Sequence, residues 1–584
     1  MYFVGLTPSF IGSERNKRKE GKMLQKIQKA ALKALISLLI FFFAFVLLIA
    51  GNTVAEELIG PPEGKVPSIQ AKEVKKGVLL FQKGEDKPLP RPNHPPIDQI
   101  PPMPMPQDTD ELPASEGPGA GIFYNAVTGE TITFPVNETA PLGGFQQGGG
   151  YSGADGGEGI EELPMTFYDM SKITNTGAFP WRMNCKLVMR FVDQCGSDRW
   201  FVCSGTMRDA ETVLTAGHCV YAREVEGCDI FDWAKEIWVY PGWDGAQTGP
   251  NAENYGYGHG TYFGSWTGWT QNGDFNYDVG IIGVTRAVGM LTGWYGWAYG
   301  GSCDWHKSQT YHNPSYPAEC CNPPACTLHN GRDMYYWYGH FDSCPSWNRL
   351  QIDTSGGCFN AGWGGMSGSG AYFIDDGNRY VHAIASTSDR ATIARYTRQW
   401  EDWVNWNNNY FIPNVRGGAF DLQALDVNAE PETIKQGGST TLLNHLATNP
   451  TNGNKAATFT VRVYLSTNDF ISSADTLLST QYYGWNFNPM SSVRVNMGMV
   501  TIPYNTPPGD YWIGVIYDPA TDGNSGNNDA SYWDAVPIHV IKETTPPPAP
   551  VISSSTHPNE NVWYCNRNPT FTWTTPSDPS GIAC

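Results

Sequence analysis

Eleven of the 13 cysteines in this 584-residue chain lie between Cys185 and Cys358. In an exported chain, cysteines clustered this densely read as a disulfide framework, because the compartment is oxidising. A zinc site would instead need paired ligands at fixed spacing. Cys320, Cys321 and Cys326 lie close together, but no C-x-x-C occurs, so no metal is expected. Because eleven is odd, one thiol is free or pairs outside the cluster.

Export is read from the N-terminus. Basic residues from Arg15 to Lys33 precede an apolar run, Ala34 to Ala50, and Thr53-Val54-Ala55 offers a small-residue cleavage site after Ala55. Met23, followed by lysines, is an alternative start. An uncleaved anchor is the competing reading, since the run is nearly as long as a membrane span. With the positive charge before the run, either reading sends the bulk of the chain out of the cytoplasm, to a secreted or cell-surface location. A net charge of −19 argues against nucleic acid as a partner, which needs a basic face.

The length is too great for one core, and composition divides the chain. Residues 1–55 form the export signal. Residues 56–165 are Pro-rich and then Gly-rich, too poor in apolar surface to build a core, with one β-like stretch from Gly121 to Pro135. They serve as a removable pro-segment, which would make the chain a zymogen, or as a spacer. Residues 166–415 carry the cysteines and short alternating segments such as Lys186–Phe191 and Glu236–Tyr240, read as strands. Ile393–Asn407 has apolar residues at helical spacing and predicts a closing amphipathic helix. Residues 420–541 lack cysteine; Thr458–Leu465 and Tyr511–Tyr517 alternate as strands, with Pro507-Pro508-Gly509 as a turn. That spacing fits a β-sandwich. Residues 546–584 are too short for another such domain, so truncation at Cys584 is expected.

Three segments of the cysteine-rich region carry chemistry. They are Cys203-Ser204-Gly205-Thr206 with Val213-Leu214-Thr215-Ala216-Gly217-His218-Cys219, then Tyr277-Asp278-Val279-Gly280-Ile281-Ile282, then Gly364-Gly365-Met366-Ser367-Gly368-Ser369-Gly370. Each alone would pass as a turn or a structural cysteine. Together, in the order His, Asp, Ser, the chain resembles the chymotrypsin/trypsin-like serine proteases over most of residues 180–400. A serine hydroxyl needs a base to take its proton, and imidazole does so near neutral pH when a carboxylate holds its other nitrogen. His218 is therefore expected as base, Asp278 as orienter and Ser367 as nucleophile, with the amides of Gly365 and Ser367 facing the developing oxyanion. Asp274 rivals Asp278, but the apolar run after Asp278 suits a buried strand. His259 and Ser369 are weaker stand-ins. An α/β-hydrolase would place serine first and histidine last, so that fold is excluded.

The resemblance implies an all-β fold of two six-stranded antiparallel β-barrels, followed by β-sandwich domains. It also implies a Cys203–Cys219 disulfide, protein or peptide substrates and no cofactor. Two positions depart from the family pattern. Met366 stands where trypsin has the aspartate that pairs with its new N-terminus, and bacterial glutamyl-endopeptidase-like members also lack that aspartate. Ala361, six residues before Ser367, stands where Arg/Lys-cleaving members carry a carboxylate. Ala385 aligns with the pocket histidine of glutamyl endopeptidases, with His382 three residues early. A neutral pocket is expected, with Ser386 offering backbone contacts to an extended substrate.

The second region resembles a CARDB-type adhesion module, through Leu422-Gln423-Ala424-Leu425, Ile434-Lys435-Gln436-Gly437-Gly438, Val463-Tyr464-Leu465-Ser466, Ile502-Pro503, Gly509-Asp510-Tyr511 and Asn527-Asn528. Ser555–Pro558, Phe571-Thr572-Trp573 and Ser580-Gly581-Ile582 are like the start of a bacterial Ig-like repeat. Such modules attach enzymes to surfaces or space them. Asp518, Asp522 and Asn524 read as a polar turn rather than a calcium loop. The alternative overall reading is an adhesion protein with an inactive protease-like domain, in which Trp266, Trp269, Trp294 and Trp297 would line a carbohydrate face. Their packing role is preferred.

Overall fold

The computed structural model describes residues 68–70, 90–104, 119–135, 145–153, 170–225, 229–248, 252–321, 323–325, 328–354, 362–389, 392–519, 522–544 and 549–574. The apolar run at 34–50 and the cleavage motif at 53–55 fall outside them. Among the described residues no helix is long and apolar enough to cross a membrane.

Period-two alternation becomes strand along the cysteine-rich region. The strands of its first half are β1 (Ala120–Asn125), β2 (Thr131–Pro135), β3 (Asn184–Val192), β4 (Asp198–Met207), β5 (Thr212–Thr215), β6 (Glu236–Pro241), β7 (Gly258–Trp266) and β8 (Gly280–Val284). Six of them run β7-β6-β3-β4-β5-β8, and β8 pairs back onto β7, closing a barrel. Leu187, Met189 and Phe191 of β3 join the barrel core, while Val188 between them joins a second cluster with Trp238 and Tyr240. Both faces of β3 are therefore buried, which explains its near-continuous apolar text.

The second half supplies β9 (Tyr311–Ser315), β10 (Tyr335–Gly339), β11 (Arg349–Asp353), β12 (Gly370–Asp375), β13 (Asn378–Ser388) and β14 (Ile393–Arg398). These run β10-β9-β12-β13-β14-β11 around Trp337, Leu350, Phe373, Ala383 and Tyr396. The helix expected over 393–407 is divided. Ile393–Arg398 is β14, since Ala394 and Tyr396 alternate inward between β11 and β13. Only Glu401–Trp406 begins the helical end, burying Trp403, Val404 and Trp406 on the first barrel. The tryptophans that suit a helix face had masked a strand just before it.

Part of the 56–165 stretch is packed. Hairpin β1–β2 extends the barrel sheet on β7, pairing Tyr262 with Asn125 and Trp266 with Gly121. Gln146–Gly148 pairs with Gly296–Tyr299, and Ile97, Ile100 and Met103 are buried against the barrel. These pieces have no core of their own; they borrow the barrel's.

From 423 to 541 the strands form a five-stranded sheet holding Lys455–Ser466 and Gly509–Pro519, and two three-stranded sheets. Phe459, Val461, Val463, Ile513 and Val515 meet Leu442, Ala447 and Val500 between them, the layering of a sandwich. Arg286, just after β8, bonds Asp534 with two nitrogens at 2.8 and 2.6 Å, both side chains being buried, and so fastens barrel to sandwich.

Candidate active site

Three loops converge where the two cores meet. After β5 the chain turns through Gly217–Val220, carrying His218. Glycine is needed at 217, because a Cβ there would lie 2.7 Å from the Trp269 ring and 3.0 Å from Asp278 Oδ1. Before β8 a single turn, Phe275–Tyr277, ends on Asp278. Asp274 caps that turn, accepting from the Asn276 amide at 2.9 Å, so the rival carboxylate is spent locally.

Asp278 is fully buried. Its Oδ2 lies 2.9 Å from His218 Nδ1, its Oδ1 accepts the His218 backbone N–H at 2.9 Å, and Ser386 Oγ donates to Oδ2 at 2.6 Å. Burial works to raise this carboxyl; the His218 charge and the hydrogen bonds from His218 and Ser386 outweigh it, leaving the acid below its usual range. A carboxylate at Nδ1 makes that nitrogen the protonated one and leaves the Nε2 lone pair facing away from it. The ring edge packs on Trp269 at 6.1 Å between centroids.

The Ser367 loop is held by the first barrel. Cys203 and Cys219 form a disulfide, which anchors the residue after His218 to β4. Ser204 N–H donates to Ser367 O at 2.8 Å, Ser204 Oγ donates to Gly365 O at 2.8 Å, and Cys219 Sγ lies 3.7 Å from Ser367 O. Gly364 N–H donates to Glu319 at 3.1 Å, and its carbonyl accepts from Ala318 N–H at 2.7 Å. Gly368 has φ +87° and sits so close to β5 that a Cβ would meet Thr215 Oγ1 at 2.0 Å. Among the described residues the amides of Gly365 and Ser367 donate to no acceptor. Ser367 Oγ and His218 Nε2 are both buried and both lack a hydrogen bond, to each other included.

The other expected positions fall as follows. His259 is on β7, beside Glu236 and tilted on Trp238. Ser369 Oγ donates to Asn313 Oδ1 at 3.1 Å. Ala361 lies outside the described residues. Trp363, Met366, Ala385, Ser386, Thr387 and Tyr396 line a narrow cleft beside Ser367. Arg395 also borders it, with Nε donating to Gln351 at 2.8 Å. His382 is buried away from the cleft against His306 and Trp305. Trp266 and Trp269 are buried core; Trp294 and Trp297 pack against that core. Sequence reasoning missed Ser204 and Glu319, which act on the Ser367 loop from a distance in sequence; Ser204 stood inside a quoted motif with no role given to it.

No protein-family model matches the chain. It is 34% identical over 131 residues to a Bacillus subtilis (strain 168) protein described as an extracellular metalloprotease, covering 22% of this chain and 37% of that one. It is 31% identical over 133 residues to the glutamyl endopeptidase of Bacillus licheniformis, covering 22% and 35%. The chain thus spans little more than a third of the length of these curated relatives. Among solved structures, the protease Anisep of Arthrobacter nicotinovorans aligns with TM-score 0.31 at 19% identity over 41% of this chain and 97% of that one. A Glu endopeptidase in complex with MPD aligns with TM-score 0.31 at 19% identity, over 42% and 98%.

Proposed function

We propose that this chain is an exported serine endopeptidase that cleaves peptide bonds through an acyl-enzyme. The observation that carries the reading is the buried relay Ser386–Asp278–His218, beside a serine loop whose two free amides suit an oxyanion. His218 Nε2 takes the Ser367 proton as Oγ attacks the substrate carbonyl. The amides of Gly365 and Ser367 receive the developing O⁻, and Asp278 stabilises the imidazolium. Collapse expels the amine, which takes its proton from His218; water then attacks the ester by the same route.

The description of the Bacillus subtilis relative as a metalloprotease invites a metal reading. Among the described residues the one group close enough to hold an ion is Cys203, His218 and Cys219, and its two sulfurs are joined in a disulfide. That donor set does not fit a metal, because the thiolates are gone. A neutral preference at the cleaved residue is read from the apolar lining of Trp363, Met366, Ala385 and Tyr396; Arg395 at the border, with Nε on Gln351, is the one cation among the described residues of that lining and counts against it. Disulfides Cys203–Cys219 and Cys303–Cys344 support an oxidising, extracellular setting. The sandwich, with the CARDB-like and Ig-like text, is read as a surface-attachment module.

The test is intact mass after treatment with a fluorophosphonate. One adduct on the parent, absent from Ser367→Ala and His218→Ala, establishes an activated serine. No adduct on processed, folded protein sinks the reading and favours the adhesion alternative.

A further inference from the structure

Residues 90–104, the described part of the proline-rich stretch that cannot build a core, are docked, and Pro102 among them lies beside the Ser367 loop. Arg91 bonds Asp469 of the sandwich and lies over the Tyr532 ring at 5.4 Å. His94 Nε2 meets the Tyr240 hydroxyl at 2.6 Å. Ile97 and Ile100 sink into the cluster of Trp238, Tyr240 and Trp243. Val202 N–H then donates to Pro101 O at 3.0 Å, and Met103 N–H donates to Val202 O at 3.0 Å, so Pro102 runs parallel to β4 beside the residue preceding Cys203. Pro102 also lies against Gly364, where a built Cβ would be 3.1 Å from Pro102 Cγ.

Val202 pairs with Val188 on its other side, so the edge that the strap fills is the one facing the serine loop. Ser204, two residues along the same strand, holds Ser367 O. An extended peptide adding to that edge would gain main-chain hydrogen bonds next to Ser367. The strap takes those bonds itself, and Pro101 and Pro102 offer no N–H with which to extend the ladder. Ser367 and His218 are each only 1% exposed, so a substrate carbonyl reaches Oγ only after something moves.

We infer that residues 91–103 are an inhibitory strap, which closes one flank of the proposed serine site and is anchored to the sandwich through Arg91. The inference rests on the serine reading and adds its regulation. Displacing the strap, by cutting the chain or by pulling at the sandwich, opens the Val202 edge to substrate.

The test uses the full chain with Ile100→Asp, which puts a carboxylate in an apolar seat, and His94→Ala as a milder second variant. Hydrogen exchange of the peptide containing Val202 reports release; intact mass after diisopropyl fluorophosphate reports the labelling rate of Ser367. Release should accelerate labelling about tenfold or more, as a shift from a mostly closed to a mostly open population requires. Release with an unchanged, measurable rate overturns the strap as guard and leaves Ser367 standing as nucleophile. Release with no labelling of any chain overturns the serine reading and the guard with it. If exchange at Val202 rises in neither variant, these side chains do not hold the strap, and the inference fails on that ground alone.

Discussion

Ser386 Oγ donates to Asp278 Oδ2 at 2.6 Å, and the same oxygen faces His218 Nδ1 at 2.9 Å. One carboxylate oxygen thus receives two donors in a site closed to water, and Ser386 fixes the angle at which the carboxylate meets the imidazole. Ser386→Ala should lower the fluorophosphonate labelling rate of Ser367 by about ten- to a hundredfold, the equivalent of one lost hydrogen bond to a charged group at about 1.5–3 kcal/mol. Ser386→Thr, which keeps the hydroxyl, should restore part of that rate. Equal rates in all three chains would make Ser386 a packing residue only.

The disulfide beside His218 has a different role. Cys203 and Cys219 close a loop with a sequence separation of 16, and both residues are buried. Replacing both with serine should cost about 3 kcal/mol through the greater freedom of the unfolded chain. The shift is read as a lower urea midpoint with an equal or somewhat steeper slope, because the freed unfolded chain exposes more surface. Labelling of the variant should fall further than its stability alone explains, since the strand that holds Ser367 O would also loosen.

Barrel and sandwich are tied by Arg286 and Asp534. Asp534 also accepts from the Asp426 amide at 2.9 Å, and Arg286 donates to Tyr255 O at 2.6 Å. Asp534→Ala strands a buried guanidinium and should destabilise the chain by about 3–5 kcal/mol. Asp534→Asn, which retains the acceptor oxygen, should cost clearly less. If the two variants unfold at the same urea concentration, the charge of the pair is not what secures the junction.

What could be read in the sequence was what local pattern decides. Strands β3 and β6 were legible as short apolar segments between turns, although burial on both faces blurs their alternation. The order of three short motifs pointed to Ser367 and to His218 and Asp278, the last two of which lie 2.9 Å apart. Asp278 was separable from Asp274 only through the apolar run that becomes β8. Illegible were contacts made at long sequence separation. Glu319 reaches Gly364 across 45 residues, and nothing in its own neighbourhood marks it. The proline-rich stretch looked structureless because the hydrophobic partners of Ile97 and Ile100 belong to a barrel far along the chain. At Ile393–Arg398 the helical spacing of later tryptophans obscured a strand whose neighbours, β11 and β13, decide its form.

Acid should unfold this protein through its buried histidines. Burial pushes His306 down to about 3 and His312, His329 and His445 to about 4, and it holds His382 well below its ordinary value, with His306 and Arg398 adding to that. A lowered folded-state pKa means that the unfolded chain binds more protons, so stability is present above about 6.5 and is lost as pH falls below it. Between pH 7 and 5 each such group withdraws at most about 2 kcal/mol. Half-buried carboxyls pull the other way: Glu253 and Asp522, raised to about 7, and Asp529, raised to about 6, all chiefly by desolvation, with Asp402 and Asp426 raised in the same direction. Each favours the folded state as pH falls through its folded value, by about 2 kcal/mol or less over the same interval. His94 and His259 are lowered too, so seven histidines stand against five carboxyls, and the histidines outweigh them. The urea midpoint should therefore be lower at pH 5 than at pH 7, and His445→Gln should shrink the difference. A midpoint that holds or rises on acidification would show that the carboxyls outweigh the histidines.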